Sequence, residues 1–169
     1  MLAAACVVLG YLFMPVPNVE MITAAIFLSG LWTGPRHGLI IGLTAEALFS
    51  LSNPMGFPPP PLLAAQLAGM GLAGWTGGML RGLVARLPFY RRPWTGHALL
   101  AAVGLFLTLT FDLLTTLSFP LAAGFSLGQV KIALAFGLPF VAVHTGVNTL
   151  IFALILPVII ARFPAWRTP

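Results

Sequence analysis

This sequence has little acid. Glu20, Glu46 and Asp112 are the only carboxylate side chains in 169 residues, against eight lysines and arginines. Charged residues make up 7% of the chain and apolar ones 59%, with a mean hydropathy of +1.03, a balance that excludes an ordinary soluble globular domain. Cys6 is the single cysteine, so an internal disulfide and a multi-cysteine metal site are excluded, and thiol usage says nothing about compartment. The basic residues are scattered along the apolar chain rather than gathered into the stripe that phosphate binding needs, which excludes a nucleic-acid partner. Reactive groups are equally sparse. Asp112 is the one aspartate, so a paired-aspartate intramembrane hydrolase is ruled out, and HExxH, GxSxG and P-loop signatures are missing. The expectation is a non-enzyme without cofactor or metal.

What remains is apolar sequence cut by Pro, Gly and charge into runs of 1–14, 19–33, 38–52, 61–80, 97–118 and 132–161. These predict six short transmembrane helices in a single domain, residues 1–169, of an all-α integral membrane protein. The opening MLAAACVVLGYLF has no basic n-region and is read as the first span rather than a signal peptide. Several runs hold about 15 residues, or roughly 22 Å, short against a hydrocarbon core of about 30 Å. Gly34-Pro35-Arg36-His37-Gly38 combines a helix breaker with charge and predicts a tight turn between the second and third runs.

Basic residues fix the expected orientation, because lysine and arginine stay on the cytoplasmic side of short loops. Arg36, Arg81, Arg86, Arg91, Arg92, Arg162 and Arg167 share one side if both termini are cytoplasmic, and only Lys131 falls opposite. Trp32, Trp75, Trp94 and Trp166 cluster near the basic side, as interfacial anchors do.

That topology gathers the remaining polar groups toward the other leaflet. Asn18 and Glu20 sit at the external end of the second run; Gln66 at the outer end of the fourth; Asp112 about 22 Å along the fifth from His97. His144 and Asn148 are four apart and share a helix face, and Glu46 is at mid-depth. Ionisable groups inside a span are costly and usually face a cavity or a partner. The pattern therefore predicts a polar pocket open to the outside, with Glu20 on its rim.

Each residue also has a packing alternative. Glu20 is compatible with a carboxylate favoured by a helix N-terminus. Asp112, with Thr108, Thr115 and Thr116 at helical spacing, is compatible with a hydrogen-bonded packing group. His144 with Asn148 fits an interhelical link, and Glu46 paired with His144 would close the pocket to any ligand. Of the loops, Ser52 to Phe57 with Asn53, followed by Pro58 to Pro61, reads as a stiff external cap, and FPLAAGFSLGQV (119–130) as a flexible lid. Gly30, Gly34, Gly38 and Gly42 recur every four residues, and Gly69, Ala73 and Gly77 repeat the spacing, which allows close helix approach.

The run PNVEMITAAIFLSGLWTGPRHGLIIGLTAEALFSLSNPMGFPPPPLLAAQLAGMGLAGWTGGML, in a chain of this size with six short spans, resembles the substrate-binding S-components of energy-coupling factor (ECF) transporters. The resemblance implies an S-component-like bundle in a prokaryotic cell (inner) membrane that takes up a small water-soluble vitamin or related micronutrient. It implies partnership with a membrane scaffold subunit and two ATPase subunits. The substrate-binding residues it implies are Asn18, Glu20, Asn53, Gln66, Asp112, His144 and Asn148, and the mid-depth carboxylate of Glu46 joins them as a candidate. Small residues four apart on the first span dock the scaffold in such proteins, and Cys6 and Gly10 are the nearest equivalent here. A structural subunit of a cell-envelope or cell-shape complex is the competing class. The acids and His144 favour a cationic or donor-rich cargo, a filter that thiamine-like pyrimidines, queuosine-like bases and corrinoid fragments all pass.

Overall fold

The computed structural model describes residues 1–87 and 93–163. Arg91, Arg92, Trp166 and Arg167 lie outside the described residues. Among the described residues there are helices and no strands: α1 (Leu2–Phe13), α2 (Ile22–Thr33), α3 (Pro35–Leu51), α4 (Pro60–Ala85), α5 (Pro93–Ala122), α6 (Leu127–Leu150), a π-helical turn (Ile151–Ile155) and α7 (Leu156–Arg162). The last three form one rod from Leu127 to Arg162, so the path is six rods. Two of them, Trp94–Ala122 and Leu127–Arg162, are long and apolar enough to cross a membrane; α1 and α2 are shorter apolar helices of 12 residues each.

Helix boundaries follow local chemistry. Gly34 alone separates α2 from α3, with φ +92°, a conformation that costs glycine little. Pro35 opens α3 because a first-turn residue has no intrahelical partner for the N–H that proline lacks, so α3 starts three residues before the expected 38. The four-proline run divides in the same way: Pro59 is extended (φ −60°, ψ 151°), and Pro60 and Pro61 begin α4. The π turn precedes Pro157, whose ring would collide with a carbonyl of a regular helix; Leu156 N–H reaches back five residues to Ile151 instead.

The lid expected over 119–130 is absent. α5 runs on to Ala122 and α6 begins at Leu127, which leaves a four-residue link. The link is a Schellman turn: Phe125 N–H reaches Pro120 O at 2.9 Å, Gly124 N–H reaches Leu121 O at 3.2 Å, and Gly124 has φ +68°. Phe119 packs edge-on to Phe125 across it, with ring centroids 6.0 Å apart. Ser126 and Gln129 then form a capping box on α6.

The glycines bring main chain against main chain. A Cβ on Gly30 or Gly38 would collide with the carbonyl oxygen of Gly74, one on Gly42 with that of Met70, and one on Gly77 with that of Phe27. α4 therefore lies directly on the α2–α3 hairpin. Phe152 of the π turn fills the space between α2 and α5, 5.3 Å from the Phe27 ring and against Gly104. Cys6 and Gly10 of α1 face inward, onto the Ser29 hydroxyl (3.6 Å) and the Phe49 ring (2.9 Å from a Cβ at Gly10). Cys6 and Gly10 thus serve internal packing.

Arg36 lies in the first turn of α3, Arg81 and Arg86 at the C-terminal end of α4, and Arg162 at the end of α7. Glu20 just before α2 and Glu46 near the end of α3 lie toward the other helix ends, and Asp112 lies inside α5.

Candidate functional site

A cavity of about 290 Å³ opens where the segment between α1 and α2 folds over the helix ends. Met14, Val16, Pro17, Asn18 and Val19 form one side of it, and Glu20 closes that segment. Asn18 holds the backbone there in the left-handed region, φ 59°, which asparagine tolerates better than most side chains. Glu46 and Phe49 enter from α3, Gln66 and Met70 from α4, Phe111 from α5, and Phe140 and His144 from α6. A larger furrow of about 520 Å³ runs along α5 and α6 between Leu105, Leu109, Val141 and Leu150. It is a surface groove whose only polar side chains are Thr145 and Thr149, so charge chemistry belongs to the smaller cavity.

One polar chain crosses the bundle behind the cavity wall. Asp112 Oδ1 lies 2.8 Å from His144 Nδ1, and Thr145 donates to Asp112 Oδ2 at 3.4 Å. On the other side of the imidazole, Nε2 is 3.1 Å from Asn148 Nδ2 and 3.7 Å from Glu20 Oε1. Asn148 Nδ2 also donates to Glu20 Oε1 at 2.8 Å, which links the start of α2 to α6. Glu20 is held on its own side by Thr23, whose hydroxyl donates to Oε1 at 2.6 Å and whose backbone N–H donates to Oε2 at 3.1 Å. The helix-terminus role and the cavity role of Glu20 thus coexist in one carboxylate.

Glu46 stands apart from this chain. Ser50, one turn on, donates to its Oε1 at 2.6 Å and lies 3.3 Å from Gln66 Oε1. The alternative in which it pairs with His144 is not formed; the carboxylates within ion-pair range of that imidazole are Asp112 and Glu20.

The structure brings seven of the eight predicted site residues together, in two layers. Asn18, Glu20, Glu46, Gln66 and His144 line the cavity; Asp112 and Asn148, 2% and 0% exposed, lie behind them and touch Glu20 or His144. Asn53 is elsewhere. Its Oδ1 accepts from Met55 N–H at 2.9 Å, a turn within the α3–α4 connection, and no residue of 52–59 lines the cavity. The proline-rich loop therefore does not cap the site, and neither does 119–130. The threonine reading of Asp112 also changes: the Thr115 hydroxyl donates to the main-chain oxygens of Phe111 and Asp112, and the Thr108 hydroxyl has no partner among the described residues.

Sequence reasoning missed Thr23, Ser50 and Thr145 as partners and Phe49, Phe111 and Phe140 as walls. Helical spacing carried the signal for most of them. Ser50 is four residues after Glu46, Phe49 three after it, and Phe140 four before His144, all on shared faces. Among the described residues no three His, Cys, Asp or Glu side chains converge to hold a metal ion. No family model, curated protein or solved structure matches the chain.

Proposed function

We propose that this chain is a multi-pass membrane protein of the prokaryotic cell membrane that captures a small water-soluble micronutrient from outside. In this reading six rods span or enter the bilayer with both ends cytoplasmic, and the chain serves as the substrate-binding S-component of an ECF-type importer. A membrane scaffold subunit and two ATPases supply the energy, and this subunit breaks no bond. The observation that carries the reading is the cavity itself: polar groups from α3, α4, α6 and the α1–α2 segment converge on about 290 Å³, at the lower end of small-molecule pockets. Two further facts support it. The described arginines, Arg36, Arg81, Arg86 and Arg162, gather at the other helix ends, as the positive-inside rule asks of a cytoplasmic face. Large apolar side chains cover the outside, including Ile40, Phe106, Ile132, Phe136 and Leu154, each more than half exposed, as lipid contact requires.

Native mass spectrometry of the detergent-purified protein tests capture directly. The expected result is a stoichiometric small molecule carried through purification, released on denaturation, and rebound with submicromolar affinity. A protein that emerges empty, and binds no component of a growth-medium extract, serves a structural role instead.

A further inference from the structure

We infer that Glu46 is the charge-recognition residue of the cavity, and that the guest is a compact, ring-bearing organic cation whose N–H or quaternary head meets the Glu46 carboxylate. The inference rests on the capture reading and narrows it to a substrate class and one residue.

All three acids of the chain converge on this site, yet they are not equivalent. Glu20 receives Thr23 N–H and the Thr23 hydroxyl, and the Asn148 amide besides, so both of its oxygens are engaged. Asp112 is likewise engaged at both oxygens, by His144 and Thr145, and does not reach the cavity. Glu46 alone keeps a carboxylate oxygen with no hydrogen-bond donor among the described residues. It is 98% withdrawn from solvent, being 2% exposed, and among the described residues Ser50 is its one hydrogen-bond donor, on Oε1. Oε2 has no donor among the described residues, and Glu46 lines the cavity. A carboxylate withdrawn from water with a vacant acceptor calls for a cation or a donor-rich partner.

Among the described residues no lysine or arginine lines the cavity, so nothing described there answers an anionic guest except His144, which already lies between Asp112 and Glu20. Beside aliphatic and amide side chains the walls include the rings of Phe49, Phe111 and Phe140 and the thioethers of Met14 and Met70, which suit a flat or quaternary cation. Volume supplies the last constraint. About 290 Å³ suits a guest of one or two rings.

Three isosteric probes separate charge from shape: benzamidinium, benzamide and benzoate, titrated into the purified protein by thermal shift and calorimetry up to millimolar concentration. Benzamidinium should bind at least about tenfold more tightly than benzamide, with benzoate weakest. Glu46→Gln should weaken benzamidinium about tenfold and leave benzamide within about threefold. Should Glu46→Gln fail to fold, Glu46→Asp keeps the charge and must keep the preference for benzamidinium. Equal or tighter binding of benzoate, equal loss of both probes in Glu46→Gln, loss of the preference in Glu46→Asp, or no binding of any probe overturns the assignment. Capture is scored separately, by what the purified protein carries: a retained neutral or anionic molecule removes the cation class and leaves capture standing. An empty protein that also ignores all three probes removes both.

Discussion

Between α2, α3 and α4 main chain touches main chain, whereas the far part of the α5–α6 hairpin turns Leu113, Phe119, Leu121, Phe136 and Leu138 outward. In the first region Gly30, Gly38 and Gly74 remove side chains so that backbones approach, and contact is made without any need of solvent. In the second, Pro120 and Pro139 each delete a helical hydrogen bond, and the apolar surface must be covered by something other than this chain. The cavity lies on the seam. Glu46 and Gln66 come from the close-packed region, His144 and Asp112 from the hairpin, and the Asn148–Glu20 bond crosses from one to the other.

The sharpest way to break this comparison is to add side chains to both regions. Gly74→Leu drives a side chain into the Gly38 carbonyl and should cost about 3 kcal/mol or more, seen as loss of monodisperse protein or a large fall in melting temperature in detergent. Gly146→Ala on α6 meets open space and should leave stability unchanged or raise it by up to about 1 kcal/mol through helix propensity. Comparable damage from both substitutions would mean that the hairpin is as closely packed as the α2–α4 region.

A smaller effect tests the seam. Asn148→Ala removes the amide that reaches both Glu20 and His144, and interhelical hydrogen bonds in such settings are worth about 0.6–1.7 kcal/mol. The expected outcome is a melting temperature reduced far less than by Gly74→Leu, with faster hydrogen exchange at the α1–α2 segment that Glu20 terminates. Unchanged exchange there would show that Thr23 alone is enough to hold Glu20.

How much of this was legible in the sequence divides along the same seam. The close-packed region was well marked: Gly34-Pro35 announced the turn, and glycines at every fourth position announced the approach of α3 to α4. The hairpin was read less well. FPLAAGFSLGQV was too short and too apolar to place by length or hydropathy, yet Gly124 as a left-handed cap, and Ser126 with Gln129 three residues on, spelled out a helix stop and start. Site residues emerged because ionisable groups are rare in such a chain, so each carries information. Their pairing did not emerge. Whether His144 meets Glu46 or Asp112 depends on helix rotation and on which helices adjoin, and periodicity within one helix does not contain either.

The smallest predicted effect concerns the residue that topology grouped with the site and geometry separated from it. Asn53 resembles Asn18: both are polar, both stand in connections at the same end of the helices, and both seemed positioned to meet a guest. The difference is what each amide does locally. Asn18 lines the cavity in a left-handed backbone conformation, whereas the Asn53 oxygen accepts from Met55 N–H and belongs to a loop with no residue in the wall. Asn53→Ala should therefore leave affinity for the retained molecule within about threefold, and stability within about 0.5 kcal/mol. Asn18→Ala replaces a tolerant residue by a strained one directly at the wall and should be the more damaging of the two on both measures. If Asn53→Ala instead weakened binding tenfold, the α3–α4 loop would have to swing over the cavity when a guest is present, and the rigid side of the comparison would acquire a moving part.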